Sequence, residues 1–154
     1  MTTPSGNPES DEPITILLVE DNPGDVRLTR EAFEAANFEH RLHVVPTGDD
    51  AIDFLTHQGE HATAPYPDLV LLDLNLPGKN GDEVLGSIRE NPQLTRLPVL
   101  MLTSSVASED IVACYEATAN AYLTKPSDFD EFVSLVKALE RVWIGQARLP
   151  RVPA

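Results

Sequence analysis

The sequence predicts one α/β domain of the doubly wound type, a (βα)5 chain whose five parallel strands carry helices on both faces. Three observations predict it. Five short apolar runs, at 14–19, 42–45, 68–73, 97–102 and 121–124, recur along the chain and are separated by segments with helical spacing. The runs ITILLV and DLVLLD barely alternate, as expected of strands buried on both sides. Helix-start signals follow the runs, such as Asn22-Pro23 after the first and Ser127-Asp128 after the last. Strands that alternate with helices form a parallel sheet covered on both faces.

Residues 1–12 are Pro, Ser, Gly, Asn and acid, and predict a disordered arm. Ile14 to Val19 is the first strand. Asn22 caps a helix with Pro23 at its first position, and Val26, Phe33 and Ala36 recur along it. Leu42 to Val45 is the second strand, and Thr47 or Gly48 opens a helix carrying Ala51, Ile52 and Leu55. His57 to Pro67 is a polar loop. Asp68 to Asp73 is the third strand, and Gly81 to Glu90 a helix with Val84, Leu85 and Ile88 inward. Leu97 to Leu102 is the fourth strand, followed by a helix from Ser108 to about Thr118. Ala121 to Thr124 is the fifth strand. Ser127 or Asp128 opens a final helix to about Ala147, with Phe129, Val133, Val136, Leu139 and Trp143 along one stripe. The domain thus spans 13–147, with a short tail at 148–154.

At 154 residues and 42% hydrophobic content, the chain can bury one core without metal or disulfide. Its one cysteine, Cys114, fits a reducing compartment. No signal-peptide pattern and no apolar run of about 20 residues is present, which predicts a soluble, cytoplasmic protein. A net charge of −14 argues against nucleic-acid binding. Only Lys79, Lys125 and Lys137 are lysines. Such an acidic, lysine-poor surface suits a salt-loving source, because salt screens its self-repulsion.

In open parallel sheets, ligands bind outside the carboxyl ends of the strands. Glu20 and Asp21 follow the first strand, Asp73 ends the third, Thr103 and Ser104 follow the fourth, and Lys125 follows the fifth. An acid at one strand end can be a cap, Thr103 a loop hydroxyl and Lys125 a surface lysine. Their convergence on one edge is harder to explain as structure alone. Three crowded carboxylates call for a cation, and Mg2+ prefers carboxylate and water oxygens. His57 and His61, four apart in a polar loop containing Gly59, do not make a metal site.

These residues resemble the response-regulator receiver family, of which CheY is the simplest member. The motifs are LLVED (17–21), LLDLNLPGKNG (71–81), LTS (102–104) and YLTKP (122–126), with 30 residues from Asp73 to Thr103 and 52 from Asp73 to Lys125. The stretches 20–36 and 114–126 resemble the single-domain branch that partners phytochrome-like and other sensor histidine kinases. The resemblance implies a flavodoxin-like, CheY-like sheet in the order 2-1-3-4-5. It implies that Asp73 is the phosphoacceptor, that Asp21 is a direct Mg2+ ligand with Glu20 acting through water, and that the Asn75 backbone carbonyl completes the metal site. Thr103 is then the hydroxyl that bonds the phosphoryl group, Lys125 its ammonium partner and Tyr122 the aromatic switch. The Lys125–Pro126 bond is implied to be cis.

On that resemblance the chain is a stand-alone regulator that catalyses only its own phosphorylation and dephosphorylation. Its output is a contact with a downstream protein. Phe132, Leu135 and Val142 add apolar surface to the final helix, which suggests a homodimer through the last two helices. Asn75 and Ser105 flank the path of an attacking water by analogy. A phosphorylation-independent pseudo-receiver is the alternative. A haloacid-dehalogenase phosphatase needs an acid where Asn75 stands. A flavin carrier needs a phosphate loop after the first strand, and none is there.

Overall fold

The computed structural model describes residues 13–36, 39–103, 121–126 and 128–140. Five strands form one sheet: β1 (Ile14–Val19), β2 (His40–Val45), β3 (Leu69–Asp73), β4 (Val99–Thr103) and β5 (Ala121–Thr124). Their order is β2-β1-β3-β4-β5, and every neighbouring pair is parallel. Four described helices accompany them: α1 (Pro23–Ala36), α2 (Gly48–Thr56), α3 (Gly81–Glu90) and α4 (Phe129–Leu139). The arm at 1–12, the helix expected over 108–118, Ser104, Ser105, Cys114, Val142, Trp143 and the tail lie outside the described residues.

Each central strand sends alternate residues to opposite faces. Leu17, Val19, Val70, Leu72, Val99 and Met101 join Ala51, Phe54 and Leu55 of α2 and Val84, Leu85 and Ile88 of α3. Ile16, Leu18, Leu69, Leu71, Leu100 and Leu102 join Ala32 and Phe33 of α1 and Phe132, Val136 and Leu139 of α4. Burial on both sides is why these strands are apolar throughout. Each such side chain contributes about 1.5–3 kcal/mol.

The helix starts follow local chemistry. The Asn22 side chain accepts the Asp25 N–H at 3.0 Å, Thr47 Oγ1 accepts the Asp50 N–H at 3.1 Å, and Asp128 Oδ1 accepts the Glu131 N–H at 2.8 Å. At α3 the Asn80 N–H donates to the Glu83 carboxylate at 2.8 Å. Each bond satisfies a backbone or side-chain group that a helix end leaves open.

Several boundaries differ from the sequence reading. β2 begins at His40, because it is an edge strand whose outer positions tolerate His40, Arg41 and His43. β4 begins at Val99: the Leu97 N–H still closes a turn onto the Leu94 carbonyl at 3.1 Å, and Pro98 has no N–H to give. Asp68 stands before β3, where its Oδ2 accepts the Thr15 N–H at 2.9 Å. The polar loop contains a 3₁₀ turn at Gly59–His61. The stripe of α4 runs through Phe132, Val136 and Leu139 rather than through Phe129. Phe129 is 39% exposed and Phe132 only 2%, so Phe132 belongs to the core and is not surplus surface.

Candidate functional site

The parallel register brings the strand ends to one edge. Val19 pairs with Leu72 and Asp73 with Leu102, so Glu20 and Asp73 emerge side by side. Glu20 is fixed by its N–H donating to the Val45 carbonyl at 3.0 Å, and Leu74 by its N–H donating to the Leu102 carbonyl at 3.0 Å. Gly81 starts α3 beneath this edge. A Cβ there would lie 2.5 Å from the Asp73 carbonyl oxygen and 2.7 Å from Leu74 Cα, so only glycine lets the helix approach.

Glu20, Asp21 and Asp73 each place a carboxylate oxygen within 4.8 Å of the others. Glu20 and Asp73 are buried, and Asp21 is exposed. Lys125 Nζ donates to Glu20 Oε1 at 2.7 Å, to Asp25 Oδ2 at 3.0 Å and to Asp73 Oδ2 at 3.3 Å. The Asn22 N–H donates to Glu20 Oε2 at 3.1 Å, and the Asn75 N–H to Asp73 Oδ1 at 3.2 Å.

Burial raises the Glu20 carboxyl to about 7. The Asp73 charge adds to this, while the Lys125 ammonium and the Asn22 N–H oppose it. Burial alone pulls the Lys125 ammonium down, but hydrogen bonds to Glu20 and Asp25 and the charges of Asp73 and Glu20 raise it overall. A buried carboxyl that is hard to ionise beside a second buried acid fits a hard divalent cation.

Glu20, Asp21, Asp73 and Lys125 are therefore brought together as the sequence reading expects. Asn75 lies two residues past β3 beside Asp73. The Thr103 backbone ends β4 opposite Thr124, and the Tyr122 backbone pairs with Met101, but the side chains of both lie outside the described residues. No peptide bond among the described residues is cis, so the Lys125–Pro126 bond is trans, the isomer that X–Pro bonds ordinarily prefer. Asp25 also reaches this site, and nothing in the sequence marks it. An acid in the first turn of a helix looks like a complement to the helix dipole, and its proximity to a lysine 100 residues away has no local signal.

Residues 16–137 match the response regulator receiver domain family. The chain belongs to that family. This receiver is 43% identical to the response regulator Rcp1 of Synechocystis sp. over 142 residues, which cover 92% of this chain and 97% of Rcp1. It superposes on the manganese-bound form of Rcp1 with a TM-score of 0.82 at 42% identity, covering 90% of this chain and all of that one. The phosphorylated cyanobacterial phytochrome response regulator RcpA gives a TM-score of 0.85 at 41% identity, with 91% of this chain covered. The receiver therefore acts in two-component signalling opposite a sensor kinase, and its acid cluster is the kind of site at which receivers bind a divalent metal. None of the described helices is long and apolar enough to cross a membrane.

Proposed function

We propose that a sensor histidine kinase phosphorylates this receiver on Asp73, with Mg2+ held by Asp21, Asp73 and the Asn75 carbonyl and by Glu20 through water. The observation that carries this reading is the position of Asp73. It is a buried carboxylate at the end of β3, with Lys125 Nζ 3.3 Å from Oδ2 and two further acids beside it. An Asp73 oxygen attacks the phosphorus of a phosphohistidine. The P–N bond breaks, and the imidazole leaves with the electron pair.

Phosphoryl transfer of this kind is mostly positioning and charge neutralisation. When bound, Mg2+ offsets the crowded carboxylates and the incoming phosphoryl oxygens. Lys125 neutralises another phosphoryl oxygen. The Thr103 hydroxyl bonds a further one, and Tyr122 follows it inward, which biases a two-state surface. The receiver modifies only itself, and its output is contact with a downstream protein. A homodimer through the helix expected over 108–118 and α4 is part of this reading. Light scattering with and without beryllofluoride checks it, and a monomer in both states contradicts it.

Incubation with acetyl phosphate and Mg2+ tests the function. Acid-stable, base-labile phosphate is expected on the wild type and absent from Asp73→Asn. If the wild type takes up no phosphate from acetyl phosphate or from a phosphorylated kinase, the reading fails.

A further inference from the structure

Resting on the phosphoacceptor reading, we propose that Asp25 is a positioning residue that anchors the Lys125 ammonium and keeps it aimed at Asp73 when the neighbouring acids are engaged by a cation. Lysine has three N–H donors and no acceptor. Here they meet three carboxylates, those of Glu20, Asp25 and Asp73. Glu20 and Asp73 also belong to the acid cluster, and Asp25 does not.

A divalent cation among Glu20, Asp21 and Asp73 competes with the ammonium for the same oxygens and repels it. Asp25 is the carboxylate left to hold it. Its place on α1 is fixed by the backbone: its N–H donates to Asn22 Oδ1 at 3.0 Å, and its carbonyl accepts the Thr29 hydroxyl at 2.7 Å. The Asp25 side chain is 34% exposed, so its contact with Lys125 removes less water from the carboxylate than burial removes from Glu20, whose side chain is 3% exposed. The long lysine stem loses rotamer freedom when it is ordered. A partner on a rigid turn meets that cost before the phosphoryl group arrives.

The test is a double-mutant cycle on the full chain with Asp25→Asn, Lys125→Met and the double variant. Beryllofluoride is titrated in the presence of Mg2+ and followed by fluorine NMR. Asp25→Asn keeps both backbone bonds and so leaves the fold intact. It is expected to weaken beryllofluoride binding roughly three- to tenfold in the wild-type background and to add nothing in the Lys125→Met background. Asp25→Glu is expected to restore part of the loss. Nitrogen-15 NMR of the metal-free protein should also show faster proton exchange at the Lys125 ammonium in Asp25→Asn. No loss, an equal loss in both backgrounds, or unaltered ammonium exchange overturns the proposal while leaving phosphorylation of Asp73 in place. A wild type that binds no beryllofluoride removes the phosphoacceptor reading, and this proposal with it.

Discussion

Lys125 is the centre of charge balance at the site. Its ammonium faces Glu20, Asp25 and Asp73 together, and removing it leaves buried carboxylates without compensation. Lys125→Met should lower metal-free stability by about 2–3 kcal/mol, read by urea denaturation. The loss stays below that of a fully buried pair because Glu20, already raised to about 7, takes up a proton. The same variant should bind Mg2+ more tightly than the wild type by calorimetry, since the competing cation is gone. Weaker Mg2+ binding would contradict this assignment of charges. Glu20, Asp21, Asp73 and Lys125 were legible in the sequence because each ends an apolar run or lies within two residues of its end. Asp25 was not, because a side chain in the middle of a helix turn gives no sign of which distant strand end it faces.

Among the elements, the stripe expected along α4 and the observed packing share Val136 and Leu139 and differ in which phenylalanine is buried. Phe132 packs with Ile16, Leu18 and Phe33, whereas Phe129 follows the Asp128 cap and stays exposed. Phe132→Ala should cost about 3–5 kcal/mol, and Phe129→Ala less than about 0.5 kcal/mol, both read from denaturation midpoints. Equal losses would restore the stripe through Phe129. Gly81 makes a second test, because α3 can approach β3 only without a side chain there. Gly81→Ala should destabilise the domain by roughly 1–3 kcal/mol. Unchanged stability would mean that α3 moves aside freely. Strand identity was readable from the two-sided burial of β1 and β3. The start of β2 was not, because an edge strand with His40 and Arg41 lacks that apolar signature.

For the whole molecule, net charge and topology act at different ranges. Alternate strand residues feed the two cores that cover the sheet, while the excess of acid on the chain adds long-range self-repulsion. With a net charge of −14, raising KCl from about 0.1 to about 1 M shortens the screening length from roughly 10 to 3 Å. The melting temperature in chelator should therefore rise across that range, as suits a salt-loving source, and a flat or falling curve would contradict that reading. The proposed switch turns on one atom pair, an Asp73 oxygen and phosphorus. Its most direct measurement is borohydride trapping of the phosphorylated protein followed by peptide mass spectrometry. Reduction to homoserine is expected at position 73, dependent on prior phosphorylation. Reduction at Glu20, Asp21 or Asp25, or none at position 73 in a protein that carries label, would contradict it.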